Sequence, residues 1–254
     1  MTDRQVLHII PSVQFQSIVR NLQDMYDRSI MYRMKTIYAV GTGPGSPEYL
    51  TLQAVNTIKN ADIIFAPDNN GKHLALDTVQ EFVNAKKIIP LHFPMTKMTE
   101  EDYEKAAASI LNETADGETG VILTIGDPML YSTFIALMPY LQSETVNVKV
   151  VSGIPSYIAA AGLSLTPLAT KGKKLCVTDS LNEQILSSVD SIALLKTSKN
   201  KKEDIEKLEA QGFDFVYVRR ATMPDQAIMK ASEKENILDE SDYISLLLAH
   251  RKQK

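Results

Sequence analysis

Three glycines, Gly41, Gly43 and Gly45, fall within five positions of AVGTGPGSPEYLT (39–51), with Pro44 between two of them. A glycine-rich turn between a strand and a helix can cradle phosphate, because backbone N–H groups at a helix start converge on an anion. The dinucleotide fingerprint needs a third glycine where this chain has Ser46. Pro44 also removes one N–H donor from the loop. Asp68, past the next strand, stands near the place of a ribose-binding acid, which keeps an NAD(P)-binding oxidoreductase open as a remote alternative. The glycines do allow main chain to approach a ligand that has no phosphate. Ser46, Pro47 and Glu48 suit a helix start: a cap, proline at the first position, then an early acid.

Two further stretches repeat this logic. In LTIGDPMLYSTF (123–134) an apolar strand runs into Gly126, Asp127 and Pro128, and Leu130, Phe134, Leu137, Met138 and Leu141 continue at helical spacing. Asp127 is positioned to cap that helix. In VVSGIPSYIAAAGLSL (150–165) a strand ends at Gly153, Pro155 opens a helix, and Ala159, Ala160 and Ala161 let it pack closely. Open α/β sheets bind ligands at the carboxyl ends of their strands. Three such turns at one sheet edge point to a ligand cleft.

The elements that must hold these turns alternate. TIYAV (36–40), ADIIFA (61–66), KKIIPL (86–91), GVILTI (120–125) and VKVVS (148–152) read as strands, with helices expected over 52–60, 75–84 and 101–113, the last capped by Thr99. Strand–helix alternation implies a largely parallel sheet covered on both faces. ATKGKK (169–174) reads as a linker. Strands KLCVTD, SIALLK, FDFVYVRR and DYISLLLAHR follow, with a helix over 201–211 ended by Gly212. The fold class is therefore α/β in two domains, residues 34–168 and 169–254. Residues 1–33 form an extension in which Phe15, Ile18, Val19, Leu22, Met25 and Tyr26 recur at helical spacing, expected to pack on the domain, to dock a partner or to be a leftover fusion segment.

Composition narrows the function classes. The chain of 254 residues has a net charge of −4 and no long basic run, which argues against nucleic-acid binding. Its single cysteine, Cys176, excludes an internal disulfide framework and suits a reducing cytoplasm. His8, His73, His92 and His250 lack metal-ligand spacing. No apolar run approaches the roughly 20 residues that span a bilayer.

VGTGPGSPEYLTLQAVNTIKNADIIFAP, GDPMLYSTF, VVSGIPSYIAAAGLSL and RRATMPDQ together resemble the tetrapyrrole methylases, the class III S-adenosylmethionine-dependent methyltransferases. The resemblance covers Met34 to about Arg251. GDPMLYSTF and LHFPM (91–95) resemble most the subgroup that methylates carbon 20 of precorrin-2 or cobalt-factor II in cobalamin biosynthesis. Uroporphyrinogen III or later precorrin methylation remains the alternative within the family.

The resemblance implies two α/β domains with the ligand between them, a homodimer, S-adenosylmethionine as methyl donor and a tetrapyrrole acceptor. It places the donor against Pro44, Gly126, Asp127, Leu130, Pro155, Ser156, Leu195, Lys196 and Ala221. Two departures from the family pattern stand out: Ser46 where aspartate is frequent, and Ser152-Gly153-Ile154-Pro155 where PGV followed by Ser or Thr is frequent. Methyl transfer from a sulfonium requires neither a nucleophilic side chain nor a metal. The protein holds donor and acceptor in line and excludes water. A base to take the displaced proton is expected from Asp127 or Tyr131, which flank the donor. The acceptor's carboxylates call for cations, with Arg219, Arg220 and Lys171 as candidates, and Lys72 and Lys97 after them.

Overall fold

The computed structural model describes residues 16–17, 19–21, 34–68, 73–84, 86–93 and 98–252. Of the N-terminal extension, residues 16–17 and 19–21 are helical and exposed, and the rest of that expected helix lies outside the described residues. The first sheet holds β1 (Lys35–Gly41), β2 (Ile63–Asp68), β3 (Lys87–His92), β4 (Thr119–Thr124) and β5 (Val146–Val151) in the order β3-β2-β4-β1-β5. Every pairing in it is parallel. The crossover segments include helices α1 (Leu52–Asn60), α2 (Leu74–Val79), α3 (Glu100–Glu113) and α4 (Thr133–Leu141).

Alternation along the strands divides the core into two layers. Ile37, Ala39, Ile63, Phe65 and Ile122 face Ala107 and Ile110 of α3 and Phe134, Leu137 and Leu141 of α4. Val40, Ile64, Ala66, Val121 and Leu123 face Ala54 and Ile58 of α1 and Ala75 and Val79 of α2. Thr99 caps α3 through a capping box: its Oγ1 accepts from the Asp102 N–H at 3.3 Å, and the Asp102 carboxylate accepts from the Thr99 N–H at 2.9 Å. The helix start expected at Ser46 is divided in two. Ser46 opens a 3-10 turn over Pro47–Tyr49, and Thr51 is the cap of α1, accepting from the Ala54 N–H at 3.1 Å.

The chain then enters α5 (Ser156–Leu163), followed by β6 (Leu175–Thr178), α6 (Glu183–Ser188), β7 (Ser191–Leu195), α7 (Lys201–Ala210), β8 (Phe213–Arg219), β9 (Ala227–Lys230), α8 (Lys234–Asp239) and β10 (Ser245–Arg251). The second sheet runs β6-β7-β10-β8-β9. Only β6 and β7 pair in parallel, and β10 is antiparallel to both of its neighbours. One face buries Leu186, Ile205, Leu208 and Ile237 of α6, α7 and α8. The other, made by Ala193, Leu195, Val218, Leu246 and Leu248, packs on Ala160 of α5. Small residues on α5 permit that close approach, and Ala159 and Ala160 are buried. A helix that precedes the expected boundary at 168 thus covers the sheet that follows it.

Candidate functional site

The carboxyl ends of β1, β4 and β5 converge on three glycines. A side chain on Gly153 would stand 2.1 Å from the Gly126 carbonyl oxygen and 2.8 Å from Gly41 main chain. One on Gly41 would stand 2.5 Å from the Gly153 nitrogen and 2.6 Å from the Gly126 oxygen. These contacts are between backbones, so glycine is required for the strands to meet. The chain continues as a bridge in which the Gly126 N–H donates to the Gly43 carbonyl at 2.7 Å and the Gly43 N–H to that of Gly126 at 3.3 Å. Asp127 then ties the second turn to the third. Its Oδ2 accepts from the Gly153 N–H at 3.0 Å and its Oδ1 from the Met129 N–H at 2.8 Å. This corrects the expectation that Asp127 caps the following helix. That helix begins at Thr133 with Ser132 at its cap position, and Leu130 lies in the preceding loop.

The second sheet closes over the glycine loop. Residues 220–226 turn past it, and the Ser46 N–H donates to Thr222 Oγ1 at 3.0 Å. Met223 lies against Gly45, where a Cβ would come 2.6 Å from its Cγ. From the other side Thr78 Oγ1 donates to the Gly45 carbonyl at 3.1 Å. Gly43 (φ 72°) and Gly45 (φ 146°) take backbone conformations open to glycine, which frees the intervening Pro44 to face the space between the sheets.

That space is a cavity of about 180 Å³ whose wall includes Pro44, Gly126, Asp127, Leu130, Pro155, Ser156, Leu195, Lys196 and Ala221. All nine residues that the sequence resemblance nominates for the donor are therefore brought together. Ile125, Tyr131, Val218 and Tyr243–Leu246 complete the wall. The segment 243–246 was not anticipated. It leads into β10, and because β10 is antiparallel its beginning lies beside the ends of β7 and β8, with Leu246 opposite both Leu195 and Val218. The run DYISLLLAHR signals a strand but not its direction.

Four non-glycine residues around this space have positive φ: Tyr131 (48°), Lys196 (57°), Arg220 (47°) and Thr222 (70°). Such conformations each cost on the order of 1–3 kcal/mol and persist where surrounding contacts over-determine them. Tyr131 shows those contacts: its hydroxyl donates to the Val177 carbonyl at 3.3 Å, joining the two halves, and Lys196 Nζ lies 5.9 Å from its ring centroid.

The expected cations are placed differently. Arg219 Nη1 donates to both carboxylate oxygens of Glu240, at 2.8 and 2.9 Å, and this pairing holds the guanidinium all the more firmly protonated. Arg220 donates to Asp242 at 2.7 Å and to Asp225 at 2.8 Å. Both arginines are neutralised by acids of the same chain and brace the 220–226 loop, and neither is on the cavity wall. Lys171 is exposed and also off that wall. Its neighbours Thr170 and Lys173 line a separate 880 Å³ cavity between Lys173, Asp190 and His250. Lys72 and Lys97 lie outside the described residues. Asp68, nominated for a ribose, faces two histidines instead, His92 at 3.1 Å and His73 at 3.9 Å.

Comparison with known proteins agrees with this architecture. The profile of the Tetrapyrrole (Corrin/Porphyrin) Methylases matches residues 36–236. A probable cobalt-precorrin-2 C(20)-methyltransferase of Methanocaldococcus jannaschii is 35% identical over 228 residues, 86% of this chain and 97% of that one. A precorrin-2 C(20)-methyltransferase of a Sinorhizobium species is 28% identical over 232 residues, 84% of this chain and 94% of that one. Among solved structures, the uroporphyrin-III C-methyl transferase of Thermus thermophilus in complex with S-adenyl homocysteine superposes with a TM-score of 0.65. It is 21% identical, covering 85% of this chain and 97% of that one, a likeness of fold.

Proposed function

Given that the chain belongs to the tetrapyrrole methylases, we propose that it methylates carbon 20 of precorrin-2 or its cobalt-bearing form, using S-adenosylmethionine, in cobalamin biosynthesis. The observation that carries this is one cavity, between two sheets, walled by the nine residues that the family motifs nominate. The C(20)-methyltransferase names of relatives that match nearly end to end support the choice of acceptor carbon.

The cavity suits the donor. Its wall combines apolar residues, Pro44, Leu130, Leu195 and Ala221, with Ser156 and Lys196. The space over Gly126 is clear of other atoms to 4 Å. When bound, the donor supplies an activated methyl group on a sulfonium. The chain's own part is to position and to dry. The glycine junction fixes the floor, the 220–226 loop and residues 243–246 close the far side, and water is excluded from the line of transfer. Exposed Met129 and Tyr131, with Ile125, offer apolar surface to a flat macrocycle. The reading includes a homodimer, carried by the family resemblance, and a cytoplasmic location, in keeping with a single cysteine. It also includes two domains, 34–168 and 169–254, behind an extension of residues 1–33. Among the described residues no helix is long and apolar enough to cross a membrane.

The test is direct. Calorimetry is expected to show micromolar-or-tighter binding of S-adenosylhomocysteine and no binding of NAD or NADP. Incubation with labelled donor and, in parallel, metal-free and cobalt-loaded acceptor is expected to label one of them at carbon 20. Label in neither acceptor, or binding of NAD(P) alone, would overturn the assignment.

A further inference from the structure

Resting on that reading, we propose that the Lys196 ammonium holds a rim carboxylate of the tetrapyrrole acceptor where the ring covers the donor cavity. Among the described residues that wall this cavity, Lys196 is the one cation. No carboxylate of the described residues forms an ion pair with it, whereas Arg219 and Arg220 are each matched by acids of the same chain. Asp127, the acid on the same wall, has both oxygens engaged by backbone N–H groups. The Lys196 side chain is exposed.

The main chain fixes the root of this side chain. Lys196 stands directly after β7 at φ 57°. Its N–H donates to the Ser245 carbonyl at 3.1 Å, and the buried Thr197 beside it shares a hydrogen bond of 2.9 Å with the Ser245 hydroxyl. A left-handed lysine persists where neighbouring contacts over-determine it, and such positions gather at ligand clamps. Lys196 Nζ lies 5.9 Å from the ring centroid of Tyr131, another wall residue. That ring is pinned in turn by its hydrogen bond to the Val177 carbonyl, and its quadrupole steadies the ammonium. An aromatic face supplies no countercharge. It positions the cation and leaves the charge available to an incoming anion.

The acceptor brings that anion to this place. Its reacting carbon has to meet the donor's methyl group, so the macrocycle lies across the mouth of the donor cavity. Ile125 and Tyr131 of the wall are exposed there, and carboxylates hang around the rim of such a ring. A ring edge beside Tyr131 sets one of them next to Nζ. Lysine meets it as a point charge, tolerant of the angle of approach. Lys196 also borders a neighbouring cavity of about 190 Å³. That space adds Lys199 but also Asp179 and Asp204, so it carries no excess of positive charge and leaves the carboxylate to the donor side.

The experiment uses the full chain in the labelled-donor assay. Lys196→Met keeps the length of the side chain and removes its charge. It is expected to raise KM for the acceptor about tenfold, the low end for a hydrogen bond to a charged group, with a smaller change in kcat. Lys196→Arg keeps the charge and is expected to recover most of that loss. KM is expected to climb with ionic strength more steeply in wild type than in Lys196→Met, because salt screens the attraction that the variant lacks. Calorimetry without acceptor is expected to find S-adenosylhomocysteine affinity in Lys196→Met within about threefold of wild type, since the aliphatic stem that lines the wall remains. An unchanged KM in Lys196→Met, or the same salt dependence in both enzymes, overturns the proposal alone. So does a loss of S-adenosylhomocysteine affinity of about tenfold, which assigns the ammonium to the donor's own carboxylate. A wild-type enzyme that labels no tetrapyrrole overturns the methyl-transfer reading and this proposal with it.

Discussion

Gly153→Ala is expected to lower the melting temperature by roughly 10 °C and to abolish S-adenosylhomocysteine binding. The added carbon would stand 2.1 Å from the Gly126 oxygen and 2.8 Å from Gly41 main chain, with no flexible side chain able to yield. Overpacking costs about 1–3 kcal/mol and more where the backbone itself must move. For a chain of this size about 1 kcal/mol corresponds to roughly 2–4 °C. Because the displaced strands carry Pro44, Gly126 and Pro155, the cavity wall moves with them. Gly126→Ala is the informative partner. Nothing lies within 4 Å of its added carbon, so its cost is confined to the backbone at φ 74°, about 1–2 kcal/mol. Equal melting temperatures for the two variants would show that the junction yields more readily than its geometry implies.

Asp127→Ala carries the second large effect. It leaves the Gly153 and Met129 N–H groups without their acceptors, each a loss of about 1–3 kcal/mol where water cannot replace it. We expect S-adenosylhomocysteine affinity to fall more than tenfold, because the turns after β4 and β5 are no longer held together. Asp127→Asn keeps one acceptor oxygen and turns an amide donor toward the other N–H, so it should fall between alanine and wild type. Calorimetry and melting read both effects. If Asp127→Ala loses turnover while affinity and melting stay at wild-type values, the carboxylate acts in the chemistry rather than as a tie between turns.

The first sheet was legible because every strand in it is short, apolar and followed by turn residues, and parallel topology then sends all its informative turns to one edge. The motifs at Gly43, Gly126 and Gly153 could be assigned to one cleft on that ground. The second sheet was less so. β9, with only four residues, lies among polar neighbours, and α6 and α8, with six residues each, complete too few turns to display a period. The antiparallel course of β10 brings Tyr243–Leu246 to the cavity, and alternation of side chains is the same in either direction. Arg219 and Arg220 looked available for substrate because their partners, Glu240 and Asp242, are about twenty residues away in sequence and adjacent only after folding. Asp127 fits the pattern of a helix cap, and a carboxylate that ties two loops together has the same local signature.

Helix α5 has one more consequence. It is synthesised before any strand of the sheet it covers, and Ala160 finds its core partners only when β7, β8 and β10 have followed. On the ribosome the first sheet can close while the inner face of α5 stays bare for some eighty residues of further chain. A gene cut at residue 168 would make that interval permanent and release a fragment with an apolar helix exposed. The later half is in this sense a built-in chaperone for the earlier one, and the ligand cavity, walled by both, exists only once synthesis is nearly complete.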